Sequence, residues 1–351
     1  MRAFEYDALP GRVVFGVGAW DKVPEELDRM GAERALLITS AGRRALAEDL
    51  ADRLGARCVG IVANAVSHVP VELVEAAQAR ARETRADCVI GMGGGAPVGL
   101  AKATPLGVDV KLMAVPTTYA GSEMTAVIGI TRDGVKHQVA DLRVLPQVVV
   151  YDPALTSGLP ARATATTGMN AMAHCGEALY AEHANPVASV MAEAAIGALS
   201  RALPRCVRTP DDLAARGEAL YGAYLAGVAI GNSGVAIHHK TCHVLGGTHG
   251  LAHGDANTVI LPHATRFNEQ AAADAIGTVG RALGAEDAAG RLFDLAVEMG
   301  APTSLKELGL DEGALDDITN QVLAAVTFNP RPLDFAGVRA MLGAAYHGRR
   351  P

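Results

Sequence analysis

Short apolar runs alternate with amphipathic stretches through the first 150 residues of the chain. Such alternation predicts parallel strands, with helices on both faces of the sheet. The runs predicted to be buried strands are 34–40, 56–63, 86–95, 111–118 and 146–152, and the helical segments between them include 44–54 and 71–84. The segment 129–140 is typical of a hairpin, with Asp133 and Gly134 at its turn.

From about residue 159 onward the pattern changes to one helix after another. Helix breaks are predicted where Pro, Gly, Asn and Asp cluster, at Asn185–Pro186, 208–212, 231–234 and 301–309. The pattern therefore predicts an α/β dinucleotide-binding domain over 1–155 and an all-helical substrate and catalytic domain over 156–351. In α/β domains of this kind, ligands bind at the carboxyl ends of the parallel strands.

Composition and charge narrow the class of protein. The 351 residues suffice for two domains, and 50% hydrophobic with 20% charged residues is typical of a globular chain. The formal net charge of −7 argues against nucleic acid as a partner. The five cysteines form no CxxC pair, and neither a signal core nor a run of about 18 apolar residues is evident. We expect a soluble cytoplasmic protein that does not bind membranes.

Three consecutive glycines, Gly93, Gly94 and Gly95, follow a predicted strand and lead into a helix. Glycine lets the backbone approach a ligand closely, and the free N–H groups at a helix N-terminus attract phosphate. The stretch lacks the GxGxxG and Walker patterns, and a plain tight turn would have the same sequence. We predict that these glycines contact the diphosphate of a dinucleotide.

A second polar loop follows the strand at 111–118. Thr117, Thr118 and Ser122 offer three hydroxyl groups that can bind a ribose, a diphosphate or the nicotinamide amide. Turns rich in Ser and Thr also occur without any ligand. The three residues are therefore candidates for cofactor binding.

Ser40 is the last residue of the predicted strand 34–40, at a position where many NAD sites carry an acidic residue for the ribose diol. Because no carboxylate repels a 2′-phosphate there, and Arg43 and Arg44 follow three and four residues later, we expect both NADH and NADPH to bind. The alternative is that the two arginines only form a solvated helix face.

Histidines are concentrated in one part of the helical half, since six of the eleven lie between 238 and 263. His243 and His253 flank the segment "LGGTHG", which is predicted to end one helix before another begins. Asn170 and His174 are four residues apart and share one face of a predicted helix. This concentration favours a functional site over isolated surface histidines.

Together these stretches resemble the iron-containing, or group III, alcohol dehydrogenase superfamily, and most of all its maleylacetate reductase branch. The resemblance rests on the glycine turn with Lys102 and on "VPTTYAGSEMT", "YDPALTSGLP", "TTGMNAMAHCGEALYA" and "HHKTCHVLGGTHGLAHGDANTVILPH", in that order over nearly the whole chain. It implies a dehydroquinate synthase-like fold. It also implies NAD(P)H-dependent reduction of the C=C bond of maleylacetate to 3-oxoadipate, in the catabolism of aromatic compounds, by a homodimer.

In metal-dependent members of the superfamily, an Asp and three His residues bind Fe or Zn. The corresponding positions here are Asn170, His174, His243 and His253, so a neutral amide replaces the carboxylate. An amide oxygen is a weaker ligand and leaves the charge of the cation uncompensated. The resemblance implies that these four residues are catalytic and that no tightly bound metal is needed, although the three histidines could hold zinc by themselves.

The two carboxylates of such a substrate need cationic or N–H partners, for which the candidates are His238, His239, Lys240, His249 and Lys136. Three alternatives remain at this point. A metal-dependent alcohol or polyol dehydrogenase would use His174, His243 and His253. A lyase of the dehydroquinate synthase group would be expected to keep a carboxylate at position 170. A non-catalytic nucleotide-binding protein would leave the histidine cluster unexplained.

Overall fold

The computed structural model describes residues 4–9 and 11–351, apart from the side chain of Lys136. The chain forms two compact units, one over Ala8–Gly158 and one over Leu159–Pro351 together with the described residues before Ala8. The sequence pattern placed the division at 155. The first unit is an α/β domain and the second is helical, so the predicted fold class is confirmed.

The α/β unit contains a parallel sheet and a hairpin. Its strands are β1 (Arg12–Phe15), β2 (Ala35–Ile38), β3 (Cys58–Val62), β4 (Cys88–Gly93), β5 (Lys111–Pro116), β6 (Val127–Arg132), β7 (Val135–Ala140) and β8 (Val148–Tyr151). Within the described residues the sheet has the order β1-β8-β5-β4-β2-β3, and all its pairings are parallel. The short edge strand β1 was not predicted, because four residues next to glycines give too little pattern to recognise.

Helices cover both faces of this sheet, which explains why its central strands are continuous apolar runs. The helices are α1 (Val23–Met30), α2 (Arg44–Leu54), α3 (Val71–Glu83) and α4 (Gly95–Ala103). Leu27 of α1 and Leu50 of α2 pack in the core on one face, and Val74 of α3 and Leu100 of α4 pack on the other.

The strand order creates a switch point between β2 and β4. The chain leaves β2 to form β3 on one side and then returns to form β4 on the other side of β2. At such a point the two following loops diverge and leave a crevice at the carboxyl edge of the sheet. Ser40 follows β2 and Gly94 follows β4, so both predicted cofactor segments flank the switch point.

The hairpin β6–β7 was predicted over 129–140 and is observed over 127–140. Asp133 and Gly134 have φ values of 52° and 75°, as expected for a two-residue turn that matches the twist of the strands.

The second unit consists of helices α5 (Ala161–Ala178), α6 (Pro186–Arg208), α7 (Leu213–Gly231), α8 (Ile237–His249), α9 (His253–Asn268), α10 (Ala273–Leu283), α11 (Ala288–Glu298), α12 (Leu315–Ala325) and α13 (Phe335–Tyr346). The predicted breaks are confirmed, and their capping explains two of them. Asn185 accepts a hydrogen bond from the N–H of Ala188 at 2.9 Å, and Asp212 accepts one from Ala215 at 3.0 Å.

Helix α5 packs closely against α6 because its residues are small. A Cβ atom at Gly168 would lie 2.3 Å from Cδ2 of Leu203, so this position excludes larger residues. By length and composition α6 could cross a membrane, although 44% of its most apolar window is buried inside the protein. Buried helices of globular domains reach the same composition.

The helix end predicted within "LGGTHG" is confirmed, but it lies at the last residue of that segment, because α8 continues through Gly246 and Gly247 to His249. The helix ends at Gly250, whose φ of 67° places it in the left-handed region that terminates helices. His249 therefore lies in the last turn of α8, and the connection to α9 is shorter than predicted.

Candidate active site

The glycine turn of the α/β unit leaves its backbone open at the start of a helix. Gly94 is the N-cap of α4, and Gly95 is its first residue. A Cβ atom at Gly94 would lie 3.0 Å from Cγ2 of Thr118, whereas one at Gly95 would meet no heavy atom within 4 Å. The N–H groups at this helix start are thus approachable from the side of Gly95, as diphosphate binding requires.

The other predicted cofactor residues lie at the same edge of the sheet. Thr117 follows β5, and its N–H donates to the carbonyl oxygen of Gly93 at 2.9 Å. Thr118 and Ser122 are half-buried in the loop after it, and half-buried Ser40 follows β2. Because β5, β4 and β2 are neighbours in the sheet, these hydroxyl groups and the glycine turn share one edge.

The two arginines after Ser40 differ in their contacts. Arg44 is exposed, and its Nε donates to the carboxylate of Glu48 at 2.8 Å along α2. Arg43 is half-buried and precedes the helix. Arg44 is therefore engaged by its own helix, and Arg43 is the more suitable of the two for a 2′-phosphate.

In the helical unit four histidine rings form a continuous series, which we call the imidazole row. His174 of α5 stacks on His239 of α8 with ring centroids 4.8 Å apart. The centroid of His239 lies 6.3 Å from that of His243, one turn further along α8. His243 in turn stacks with His253, the first residue of α9, at 6.1 Å. Three helices thus contribute to one row.

The row runs from the interior towards the surface. His174 and His239 are buried, whereas His243 and His253 are partly exposed. Asn170 is buried one turn before His174 on the same face of α5. A ligand from solvent would therefore meet His243 and His253 first.

A carboxylate that the sequence analysis missed lies at the inner end of the row. Glu177 is buried on α5, three residues after His174. One of its oxygens accepts from the N–H of His238 at 2.8 Å, and the other contacts Nδ1 of His239 at 2.7 Å and its N–H at 3.4 Å. Glu177 therefore caps the N-terminus of α8 from another helix, where a negative charge is favoured.

These contacts fix the protonation pattern of two rings. The carbonyl oxygen of Asn257, 3.2 Å from Nε2 of His238, can only accept, so His238 carries its proton on Nε2. His239 donates its Nδ1–H to the carboxylate of Glu177. The unprotonated Nδ1 of His238 lies 3.2 Å from Nδ1 of His239 and is a second acceptor for the same proton. In its neutral form His239 therefore has an electron pair, and no proton, on Nε2.

Burial sets the charge of the inner groups. It lowers the pKa of His174 well below the ordinary value, and the nearby His239 and His238 lower it further. Burial also lowers the pKa of His238 and raises the pKa of Glu177, the latter shift being opposed by His238 and by the N–H groups at the start of α8. His174 is consequently neutral at pH 7, so it is unsuited to be a proton donor there.

The predicted contacts for substrate carboxylates fall into different environments. His238 is buried with both ring nitrogens in contact with protein atoms, so it supports the site from within. Lys240 and His249 are half-buried on α8. Lys136 belongs to β7, and its side chain lies outside the described residues.

The three histidines predicted to hold a metal do not converge in this arrangement. Glu177, His238 and His239 form a group whose ligand atoms lie within 4.8 Å of one another. His174, His243 and His253 do not form such a group within residues 4–9 and 11–351. The Glu177 group is already joined by internal hydrogen bonds. It could offer its ligand atoms to an ion only if these internal hydrogen bonds were broken.

Glu177 could have been found from its spacing. It is an acidic residue within "MNAMAHCGEA", a stretch that otherwise holds small and apolar residues besides Asn170 and His174. Positions 170, 174 and 177 repeat at helical spacing, which predicts that all three share one face. A lone carboxylate on a buried face requires a partner, and this alone would have directed attention to the histidines.

Comparisons with known proteins agree with this architecture. Residues 10–153 match the family described as "Iron-containing alcohol dehydrogenase", and residues 164–346 match "Fe-containing alcohol dehydrogenase family, C-terminal". A maleylacetate reductase from Sphingobium indicum is 46% identical over 348 residues, 99% of either chain.

Two crystal structures resemble the chain over the full length of both proteins. A putative alcohol dehydrogenase from Ralstonia eutropha JMP134 is 47% identical with a TM-score of 0.98. A maleylacetate reductase from Agrobacterium tumefaciens is 42% identical with a TM-score of 0.96. The chain therefore belongs to the iron-containing alcohol dehydrogenase family of oxidoreductases, and its relatives within that family include maleylacetate reductases at more than 40% identity over their full length.

Proposed function

We propose that this chain reduces the C=C bond of maleylacetate to give 3-oxoadipate, with NADH or NADPH as hydride donor and no tightly bound metal. The observation that carries the proposal is the imidazole row, which begins at a buried carboxylate and ends at two partly exposed histidines. The similarity to maleylacetate reductases over the whole chain supports the choice of substrate.

The reaction defines what the site must provide. Maleylacetate is a dianion in which a ketone is conjugated to the double bond. Addition of hydride to the carbon of that bond farther from the ketone moves an electron pair onto the ketone oxygen. A proton must then reach the other carbon of the former double bond, which is next to the ketone. The protein therefore needs hydrogen-bond donors for an enolate oxygen and one proton donor.

The protonation pattern supports a division of these tasks within the row. His174 is neutral at pH 7, and neutral His239 presents an electron pair on Nε2. His243 and His253 are partly exposed and remain the best donors to the enolate and to carbon. Asn170 supports them as an uncharged group, which leaves a dianion without a repelling carboxylate at that position.

The α/β unit fits the cofactor. The N–H groups near Gly95 would bind the diphosphate, and Thr117, Thr118, Ser122 and Ser40 would position the nicotinamide and ribose parts. When bound, NADH or NADPH supplies the hydride. Arg43 supports acceptance of the 2′-phosphate of NADPH.

Independence from metal is supported by the donor set. The position that would provide a carboxylate is Asn170, and the candidate histidines do not bring three ring nitrogens together within the described part of the chain. Glu177, the nearby carboxylate, is occupied by N–H donors.

We further propose that Lys240 and His249, and Lys136 from the hairpin, contact the substrate carboxylates. The chain is proposed to act in the cytoplasm as a homodimer, without nucleic-acid or membrane partners. The net charge of −7 and the lack of a disulfide among the described cysteines, of which Cys175 and Cys242 are buried, support this setting.

The test is an assay of NADH and NADPH oxidation with maleylacetate, using protein treated with a chelator and then freed of it. Turnover without added metal, and 3-oxoadipate as product, is the expected result. Activity that returns only with Fe or Zn would reject metal independence. Oxidation of simple alcohols in place of maleylacetate reduction would assign the chain to the metal-dependent alcohol dehydrogenases instead.

A further inference from the structure

The loop that carries Thr117, Thr118 and Ser122 surrounds a buried lysine. Nζ of Lys102 donates to the carbonyl oxygens of Ser122 at 2.6 Å, Thr125 at 2.8 Å and Val127 at 2.8 Å. It also contacts the hydroxyl oxygen of Thr125 at 3.1 Å. An ammonium group has three N–H donors, so the three carbonyl groups match it in number.

Lys102 belongs to α4, the helix whose first turn is the candidate diphosphate site. It lies seven residues after Gly95, which is about 10 Å along the helix axis. Its side chain is fully buried. The same helix therefore presents the candidate diphosphate site at one end and contacts the hydroxyl-bearing loop through the side chain of Lys102.

A second buried contact holds the other side of this loop. The hydroxyl of Tyr151, the last residue of β8, donates to the carboxylate of Glu123 at 2.7 Å, and both side chains are buried. Burial lowers the pKa of Lys102 to about 7, and the charge of Glu123 opposes that shift. Burial of a lysine is costly, and the loop carbonyls repay it only when they keep this arrangement.

We propose that Lys102 is a positioning residue for the cofactor: it holds the loop 117–126 in the conformation that binds the nicotinamide half of NAD(P)H. The proposal rests on the cofactor site proposed above. Lys102 does not itself touch the cofactor in this scheme. Its removal should weaken cofactor binding while it leaves the imidazole row and the proton transfer unchanged.

The direct test replaces Lys102 by methionine, which has a similar length and no donor. Because the ammonium donors are lost, the three carbonyl groups must form hydrogen bonds with water instead, and we expect the loop to become more mobile. We expect the dissociation constant of NADH, measured by quenching of the single Trp20, to rise about 10- to 100-fold. The KM for maleylacetate and the kcat at saturating NADH should change less than about threefold.

A matched control exists in the same sheet. Nζ of Lys111, at the amino end of β5, donates to the carbonyl oxygens of Met30 and Gly31. Lys111→Met removes a comparable set of contacts at the opposite edge of the sheet. It should lower the melting temperature and leave the dissociation constant of NADH unchanged.

Two further measurements test the proposal if the Lys102→Met protein does not fold. Thr125→Val removes only the hydroxyl that contacts Lys102 and donates to the carbonyl oxygen of Ser122 at 2.9 Å, and should weaken NADH binding about threefold. Amide hydrogen exchange should speed up in 117–127 in this variant, and not in α1 or β8. This exchange readout does not depend on the substrate.

The outcomes separate this inference from the proposed function. Unchanged NADH affinity in both Lys102→Met and Thr125→Val would overturn the positioning role, whatever the stability loss. A wild-type protein that binds NADH but does not reduce maleylacetate would reject the proposed function and leave the role of Lys102 intact. Equal weakening of NADH binding in Lys111→Met would show that Lys102 acts only through general stability.

Discussion

Each of the two units contains a buried ionisable side chain that contacts the backbone of a neighbouring segment, and the two side chains, Lys102 and Glu177, are of opposite charge type. In the α/β unit, the ammonium of Lys102 contacts the carbonyl oxygens of Ser122 and Thr125 in the loop 117–126 and that of Val127 at the start of β6. In the helical unit, the carboxylate of Glu177 is surrounded by N–H groups at the start of α8. In each case the contacted segment carries the candidate ligands of that unit.

The difference in sign decides which kind of backbone can be held. A cation attracts carbonyl groups, which an irregular loop can turn inwards, whereas an anion attracts the free N–H groups that a helix start presents in a fixed array. Lys102 therefore holds carbonyl groups of an irregular loop, and Glu177 holds the start of a helix together with a side-chain tautomer. We expect Lys102 to govern cofactor binding and Glu177 to govern proton chemistry.

The largest effect is expected at the partly exposed end of the imidazole row. In His243→Gln or His253→Gln, whichever removes the proton donor should lower kcat about 10²- to 10⁴-fold, with little change in the dissociation constant of NADH. Because the donor must be protonated, wild-type kcat should fall as the pH rises through its pKa, and the variant should lose this dependence. Steady-state kinetics from about pH 5.5 to about pH 9 would measure both the fall in kcat and its pH dependence.

His347→Gln is the control for this experiment, since His347 follows α13 and pairs with Glu312 at 3.5 Å. It should retain wild-type kcat. If His243→Gln and His253→Gln both keep kcat within about twofold, the row has no part in proton transfer and the contrast between the two units fails.

The next effect concerns Glu177→Gln. The amide oxygen can still accept from the N–H of His238, but the NH₂ group then faces Nδ1 of His239 and donates to it. The tautomer of His239 is thereby inverted, so that Nε2 gains a proton. We expect kcat to fall on the order of 10²-fold, with an unfolding free energy lower by about 1–3 kcal/mol.

The tautomer itself can be observed in ¹⁵N spectra of histidine-labelled protein, where Nδ1 and Nε2 of His239 should exchange their protonated and unprotonated shifts. Glu193→Gln, an exposed change on α6, is the control and should leave both the spectrum and kcat unaltered. Loss of activity without a change in the His239 signals would make Glu177 a purely structural cap.

The sequence analysis named Lys102 only as part of the family resemblance, and it did not identify Glu177. The parallel strands and most helix ends were predictable because apolar runs, Asn185 and Asp212 give local signals. The helical spacing of Glu177 could have placed it on the face of Asn170 and His174, but it could not have predicted the contact with α8, which lies about 60 residues later and meets it only in the folded chain. For the same reason the sequence placed His238 with the substrate, although it is buried against Asn257.

A smaller effect is expected when a carboxylate is restored beside the row. Asn170→Asp adds a buried negative charge near His174, which favours a divalent cation and repels a dianionic substrate. The variant should retain zinc after dialysis, and its kcat/KM for maleylacetate should fall about tenfold. Asn185→Asp is the control, because an Asp at this N-cap is as favourable as Asn. Metal analysis without zinc in Asn170→Asp would contradict the reason given for the Asn.

The smallest effect is expected at the cofactor phosphate. Arg43→Ala should lower the preference for NADPH relative to NADH about threefold, since a partly exposed arginine contributes little to phosphate binding. Arg44→Ala should not change the ratio, because Arg44 is paired with Glu48 on α2. The preference is measured as the ratio of kcat/KM for NADPH to that for NADH, and this ratio does not depend on the imidazole row.

A lower ratio in Arg44→Ala and not in Arg43→Ala would exchange the roles of the two arginines. Equal ratios in the wild type and both variants would mean that the 2′-phosphate is bound elsewhere. Either result would leave unchanged the proposed role of Lys102, which concerns the nicotinamide half of the cofactor.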